Sequence, residues 1–312
     1  MSLTDVPGIH VGHAQVAGGG SGCTVVLGPF RGRAIIPGPA TGSREIEALR
    51  SEHVTSGVDA IVLSGGSAYG LATADGVMEW LEERGRGHRT MAGVVPIVPA
   101  AILFDLAEGR LRPGPAEGRA ACEVASSDPV VEGQVGAGAG ARVAKLLGIE
   151  RSRPGGIGSA SFTFRDWTVG ALAAVNALGD VIGPGGEPLA APKPVDGGRS
   201  GADQRTGAEA ILSGELPSRD PRPGENTTLC VVATDAPLSS PDLGRLLRMA
   251  ATGIARSISP VHTPFDGDIL FGLSTSDREE SLSPTETLGL GVAAASVLAR
   301  SIRRAAAVGA RA

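Results

Sequence analysis

Short apolar runs of β type alternate along this chain with longer segments of helical periodicity, and this alternation restricts the possible folds more than any other feature. The runs lie at residues 23–27, 59–63, 168–176, 228–234 and 268–274. Helical patterns cover residues 69–84, 240–257 and 283–306, and glycine-containing turns separate the segments. Such alternation is typical of an α/β fold in which helices cover sheets. We expect one α/β domain over the 312 residues.

The core of this domain must be built from small aliphatic side chains. Apolar residues make up 42% of the chain but aromatic residues only 3%, and there are 47 glycines. Small side chains allow helices and strands to approach closely, so we expect tight packing between layers. The segment 283–306 consists mainly of Ala, Leu and Val after Ser283-Pro284, which predicts a mostly buried helix.

Several classes of function and partner are disfavoured by the composition. The net charge of −5, without a basic run, argues against nucleic-acid binding. A stretch of roughly 20 apolar residues and a signal peptide are both missing, so we expect a cytoplasmic protein with no membrane contact. Cys23, Cys122 and Cys230 are far apart and indicate buried free thiols. His10 and His13 have no accompanying carboxylate, and we predict no metal and no cofactor.

The composition changes sharply between Gly183 and Glu225, where Pro, Gly, Asp, Arg and Ser dominate apart from a short helical stretch near Gly207–Leu212. Loops of this length inside a compact domain are uncommon and are usually functional or disordered. This segment ends directly before the apolar run Thr228–Ala233. We therefore predict a loop-rich excursion that leads into a rigid buried strand.

Asn226 and Thr227 stand at this junction, and their chemistry suits self-cleavage. A hydroxyl at the start of a buried strand can attack the carbonyl that precedes it, and Asn tolerates the strained turn that this attack needs. Cleavage would free an α-amine with an unperturbed pKa of about 7.7–8.0, which can take the threonine proton without a histidine. Taken alone, Asn-Thr-Thr before a strand also suits an ordinary N-cap or turn.

Longer motifs extend this hypothesis to the whole chain. They include GENTTLCVVATDAPLS at 224–239, LSGGSAYGLATADGVMEWL at 63–81, VGAGAGARVAKLLG at 135–148, GGIGSASF at 155–162, VNALGDVIGP at 175–184 and HTPFDGDILFGLST at 262–275. Together they resemble the L-aminopeptidase D-Ala-esterase/amidase family, which includes β-aminopeptidases and nylon-oligomer hydrolases.

That resemblance implies a four-layer αββα sandwich of the self-processing N-terminal-nucleophile-hydrolase type. It also implies cleavage of an inactive precursor into an α fragment, 1–226, and a β fragment, 227–312, and assembly as a homo-oligomer, commonly a tetramer of such pairs. The expected function is hydrolysis of small peptide-like amides through an acyl-threonine intermediate.

The same resemblance implies a set of site residues. Thr227 would be the nucleophile, Asn176 the side-chain amide that stabilises the oxyanion, and Lys145 a cation beside the nucleophile. Asp266 and Asp268, in an Asp-Gly-Asp motif like that of the nylon-oligomer hydrolases, would orient the α-ammonium or bind a substrate amine. Without the family, Asn176 is also compatible with a turn, Lys145 with a surface helix, and the two aspartates with an acidic turn.

Other interpretations of single motifs stay open. Ser67 follows a strand and Gly65-Gly66, as in a nucleophile elbow, but Tyr69 stands where that motif needs glycine. Gly136-Ala-Gly138-Ala-Gly140, ahead of a predicted short helix, weakly resembles a nucleotide-binding loop. A threonine-nucleophile acyltransferase of similar fold would share the acyl-threonine intermediate, and an inactive binding protein would share the fold.

Overall fold

A nine-stranded sheet forms the centre of the described part of the molecule. The computed structural model describes residues 1–55, 57–106, 111–194, 205–215, 222 and 224–309. The sheet contains β1 (His10–Gln15), β2 (Gly22–Ile35), β3 (Ser43–Arg44), β4 (Gly57–Ser64), β7 (Ala100–Ile102), β10 (Gly156–Phe164), β11 (Trp167–Asn176), β14 (Thr227–Thr234) and β16 (Ile269–Ser274).

Shorter strands and five helices complete the described elements. The strands are β5 (His88–Thr90), β6 (Gly93–Val95), β8 (Arg142–Val143), β9 (Arg153–Pro154), β12 (Asp180–Ile182), β13 (Pro188–Ala190) and β15 (Ile258–Ser259). The helices are α1 (Thr73–Glu82), α2 (Pro115–Glu123), α3 (Gly207–Leu212), α4 (Ser240–Ala255) and α5 (Pro284–Gly309). No described helix is both long and apolar enough to span a bilayer.

The strand order in the large sheet is β10-β11-β14-β16-β2-β4-β7-β3, with β1 paired to β2. β14 is antiparallel to β11 and parallel to β16. The long strand β2 joins two halves of the sheet, because its residues 31–35 pair with β16 whereas its residues 23–31 pair with β4. The two central strands β14 and β16 thus lie between β11 and β2.

Three apolar clusters separate four layers. The inner cluster packs the two halves of the sheet against each other, with Leu229 and Val231 from one half and Ile61 and Leu63 from the other. A second cluster lies between β10, β11, β14 and β16 and the helices α4 and α5, and a third lies between β2, β4 and β7 and the helices α1 and α2. The fold is therefore the predicted αββα sandwich.

Small residues let these layers approach closely, as the composition predicted. A Cβ atom added at Gly158 of β10 would lie 2.0 Å from the carbonyl oxygen of Ser301 in α5, and one at Gly253 of α4 would lie 2.4 Å from that of Ala295. Real side chains do not tolerate such distances, so glycine is needed where α5 crosses both neighbours. Thirteen of the 26 residues of α5 are buried, so the mostly buried helix that the sequence predicts is confirmed only in part.

The five predicted β runs and the three predicted helices correspond to observed elements, although the helix predicted at 69–84 begins as a 3-10 turn, Ser67–Ala72. The short helix predicted after Gly136–Gly140 is wrong: the chain forms a 3-10 turn, Gly136–Gly138, and then β8. A Cβ atom at Gly138 would lie 2.6 Å from the backbone of Gly156. Gly138 therefore allows close packing between two backbone segments.

The segment that precedes the predicted cleavage point is described only in part. It contains β13 and, as predicted, the helix α3, whereas residues 195–204, 216–221 and 223 lie outside the described residues. The three cysteines are free and buried, which confirms the prediction made for them.

Candidate active site

Thr227 is the first residue of β14 and lies at the end of the inner apolar layer. Its side chain is 1% exposed, and its backbone pairs with Asn176 of β11. The hydroxyl Oγ1 donates a hydrogen bond to the carbonyl oxygen of Asn226 over 2.5 Å. The predicted nucleophile is therefore in contact with the peptide group that it would have to attack.

The carbonyl of Asn226 is also polarised from a second side. Its oxygen accepts a hydrogen bond from the backbone N–H of Gly267 over 2.8 Å. A Cβ atom on Gly267 would lie 2.9 Å from Thr227 Oγ1 and 2.7 Å from the carbonyl oxygen of Ala40. Only glycine fits between the threonine hydroxyl and the loop at Ala40, so this position brings an N–H to the scissile carbonyl without displacing the hydroxyl.

Lys145 reaches the same end of the sheet from a turn after β8, not from a surface helix as the alternative interpretation had it. Its Nζ donates hydrogen bonds to the carbonyl oxygens of Asn176, at 2.9 Å, and Glu225, at 3.1 Å, and lies 3.3 Å from Asn176 Oδ1. The turn is fixed because the N–H groups of Ala144 and Lys145 bond to the carbonyls of Gly179 and Leu178. Lys145 thus links β11 to the residue before the Asn226-Thr227 pair.

Burial lowers the pKa of Lys145 to about 7, because it removes water from the ammonium group. The negative charges of Asp266, Glu225 and Asp268 oppose this shift, whereas the positive charge of Arg142 adds to it. Near neutral pH a substantial fraction of Lys145 is therefore uncharged and able to accept a proton.

Asn176 ends β11, and its side-chain amide is saturated by backbone groups. Its Oδ1 accepts the N–H of Arg142 over 3.0 Å, and its Nδ2 donates to the carbonyl oxygens of Phe104, at 2.9 Å, and Glu225, at 3.4 Å. The bond to Glu225 is the longest of the three. The amide is thus held rigidly next to Thr227, with its weakest contact on the segment that precedes Asn226.

Asp266 and Asp268 flank Gly267 and are both buried. Asp268 Oδ1 accepts the backbone N–H of Thr228 over 2.6 Å, and its Oδ2 lies 2.8 Å from His262 Nδ1. Asp266 Oδ2 accepts hydrogen bonds from both the N–H and the hydroxyl of Thr263, at 2.8 and 2.6 Å. Burial, and secondly the charge of Asp268, raise the pKa of Asp266.

All five residues implied by the sequence therefore lie around one end of β14. The sequence interpretation did not assign a role to Gly267, His262 or Thr263, although all three belong to the motif HTPFDGD. The spacing His262–Asp268 carries no recognisable signal by itself, because the contact depends on a turn. Ser67 is not part of a triad: among the described residues its hydroxyl has no histidine partner, and His262 is engaged with Asp268.

Two solved structures with this architecture are named as aminopeptidases, and one of them is described as a variant of the N-terminal-nucleophile-hydrolase fold. The chain is similar to the L-aminopeptidase D-Ala-esterase/amidase from Ochrobactrum anthropi, with a TM-score of 0.72 and 20% identity over 97% of this chain and 85% of that one. A β-aminopeptidase from Burkholderia sp. gives a TM-score of 0.71 and 22% identity at the same coverage. The fold is thus that of the N-terminal-nucleophile hydrolases.

The chain belongs to Peptidase family S58, whose sequence profile matches residues 1–311. It is 42% identical to an uncharacterized aminopeptidase of Mycobacterium tuberculosis, over 96% of this chain and 92% of the relative. It is also 28% identical to the 6-aminohexanoate-oligomer endohydrolase of Paenarthrobacter ureafaciens, over 93% of this chain and 79% of that enzyme. The predicted family is confirmed, and the protein is a member of a family of aminopeptidases and amidases.

Proposed function

We propose that this protein is a self-processing amidohydrolase that cuts the bond between Asn226 and Thr227 and then uses Thr227 as its catalytic nucleophile. The observation that carries this proposal is the 2.5 Å contact between Thr227 Oγ1 and the carbonyl oxygen of Asn226, on a buried strand end where Gly267 also donates to that oxygen. The products would be fragments 1–226 and 227–312.

In the cleavage step, Thr227 Oγ1 attacks the carbonyl carbon of Asn226. The hydroxyl proton is transferred to the departing nitrogen, the C–N bond breaks, and an ester joins Asn226 to the threonine side chain; water then hydrolyses this ester. The N–H of Gly267 stabilises the negative charge that develops on the carbonyl oxygen. Uncharged Lys145, with its pKa of about 7, would serve as the base that relays the proton.

In the mature enzyme the α-amine of Thr227 serves as the base. Substrate attack forms an acyl-threonine, and water activated by the same amine releases the acyl group. Asn176 Nδ2 would donate to the oxyanion once its 3.4 Å contact with the carbonyl of Glu225 is released by cleavage. Removal of such a donor typically slows an enzyme on the order of 100-fold to 1000-fold.

The substrate class follows from the site and from the relatives. Asp266 and Asp268 place two carboxylates beside the strand end, which suits a ligand with a free amino group. The relatives are named as aminopeptidases and as 6-aminohexanoate-oligomer endohydrolases, so small linear amides with an amino end are the expected substrates. We extend the proposal to a homo-oligomer of processed pairs in the cytoplasm, acting without metal or cofactor.

The decisive experiment is intact mass spectrometry of purified wild type and Thr227→Ala after incubation near pH 7.5. Wild type should give fragments that end at Asn226 and begin at Thr227, and the variant should stay at 31.3 kDa. An uncleaved wild type would favour an inactive binding protein of the same fold. A panel of dipeptides, D-amino-acid amides, β-peptides and 6-aminohexanoate oligomers, with and without an added amine acceptor, then separates hydrolysis from acyl transfer.

A further inference from the structure

His262 lies outside the set of proposed catalytic groups, yet it holds one of them. Its Nδ1 is 2.8 Å from Asp268 Oδ2. Because carboxylate oxygens accept hydrogen bonds, we assign Nδ1–H of the imidazole as the donor. The other carboxylate oxygen accepts the N–H of Thr228 over 2.6 Å. A continuous chain of hydrogen bonds therefore runs from His262 through Asp268 to the peptide group that follows Thr227.

The backbone of His262 is itself unusual. Its φ is +53°, in the left-handed region that only a few per cent of non-glycine residues adopt, with asparagine, aspartate and histidine enriched among them. Its side chain is 26% exposed, whereas that of Asp268 is 1% exposed. The imidazole thus covers a buried carboxylate from the solvent side.

This arrangement matters most after the proposed cleavage. Thr227 then becomes a chain end, and chain ends fray unless they are tied down. The hydrogen bond between Gly267 and the carbonyl of Asn226 no longer holds Thr227 once the peptide bond is cut. Two attachments near the new chain end remain, namely the strand pairing of Thr227 with Asn176 and the hydrogen bond from the N–H of Thr228 to Asp268.

We infer that His262 is a positioning residue, which fixes Asp268 so that the Thr227-Thr228 peptide plane, and with it the α-amine and hydroxyl of Thr227, keeps its orientation. This inference rests on the proposed function. The motif HTPFDGD would then supply both the two aspartates and the histidine that fixes the orientation of Asp268.

The backbone and the hydrogen bond of His262 can be separated by two substitutions. His262→Asn keeps a residue type that tolerates positive φ and places an amide N–H near the position of Nδ1. His262→Gly tolerates the backbone equally well but removes the donor. The matched control is His53→Gly, since His53 is exposed and its imidazole bonds, among the described residues, only to Thr55.

The readouts are the rate of cleavage at Thr227, kcat and KM for an amide substrate, and the thermal midpoint. His262→Asn and His53→Gly should stay within about threefold of wild type. His262→Gly should lose on the order of 10-fold to 100-fold in cleavage rate and kcat, the range expected for loss of a hydrogen bond to a charged group, with KM nearly unchanged. If His262→Gly does not fold, His262→Ala replaces it.

Chemical rescue supplies an independent test. The partly exposed position should leave a site that imidazole can enter, so imidazole at about pH 8.5, about two units above the pKa of roughly 6.5 typical of a histidine side chain and thus mostly the neutral base, should restore the rate of the glycine variant. The free base of 1-methylimidazole has no N–H and should not.

Two results would overturn the inference. One is a glycine variant that cleaves and turns over like wild type, and the other is equal rescue by both imidazoles. Failure of wild type itself to cleave would instead refute the proposed function, so the two failures are distinguishable.

Discussion

Replacement of Lys145 by methionine should change how the stability of the precursor depends on pH. The pKa of Lys145 is lowered from 10.5 to about 7 in the folded protein, first because burial removes water from its ammonium group. Between these two values the unfolded chain holds a proton on Lys145 that the folded chain does not. Stability therefore rises with pH across this interval, and the cost of burying the charge is largest below pH 7.

The magnitude follows from the same shift. One proton of difference corresponds to about 1.4 kcal/mol per pH unit, so the free energy of unfolding should gain up to about 4–5 kcal/mol between pH 7 and 10.5. The side chain is only partly buried, and solvent screening makes this an upper value. Lys145→Met also removes the hydrogen bonds to the carbonyls of Asn176 and Glu225, but that loss lowers the free energy of unfolding by a similar amount at every pH.

The measurement is urea unfolding from pH 6 to 10 in a Thr227→Ala background, which keeps every sample as one uncut chain. As pH rises above 7, the free energy of unfolding of Thr227→Ala should increase relative to that of Thr227→Ala/Lys145→Met. Lys193→Met, at an exposed position, is the matched control and should show no such trend. Parallel curves for the Lys145 pair would refute the argument that Lys145 is neutral in the folded protein near pH 8.

Two further substitutions test other parts of the structure. Gly267→Ala should slow cleavage on the order of 100-fold, because its Cβ would lie 2.9 Å from Thr227 Oγ1. Gly57→Ala is the control, because a Cβ atom at that position meets open space. Equal cleavage rates of the two variants in mass spectrometry would contradict the argument that the added Cβ crowds the hydroxyl. Asp180→Asn should exceed wild type in stability by up to about 4 kcal/mol at pH 8 and match it near pH 4, because burial raises the pKa of Asp180 to about 7. The folded protein then keeps a proton that the unfolded chain has lost, so wild type weakens as pH rises from 4 to 7; denaturation curves with no pH trend would exclude this buried acid.

The elements that the sequence predicted well are those whose signal is local. β14 and β16 are apolar runs long enough to be buried on both faces, and α4 and α5 carry their own start signals, Ser239-Ser240-Pro241 and Ser283-Pro284. β10 was missed as a strand because its glycines and serines lower the β signal, although its packing against α5 requires those small residues.

The strand order and the hydrogen bonds of the site could not be predicted from local patterns. Pairing of β14 with both β11 and β16 joins residues far apart in the sequence, and periodicity carries no information on such partners. The proximity of Lys145, Asn176 and Thr227 was therefore implied by family resemblance alone. The role of Gly267 as a donor to Asn226 depends on backbone geometry, which a side-chain motif does not encode.

The position of β14 and β16 between β11 and β2 affects how the protein could refold after the proposed cleavage. The small fragment would supply the two central strands of a sheet whose outer neighbours belong to the large fragment. Folding of the uncut chain is a unimolecular reaction, whereas recovery of the cut form from denaturant would require two chains to meet and one to insert its strands between those of the other. The rate of refolding of the cut form would then depend on protein concentration. The uncut chain would bring both fragments together during its one folding reaction, before cleavage separates them covalently.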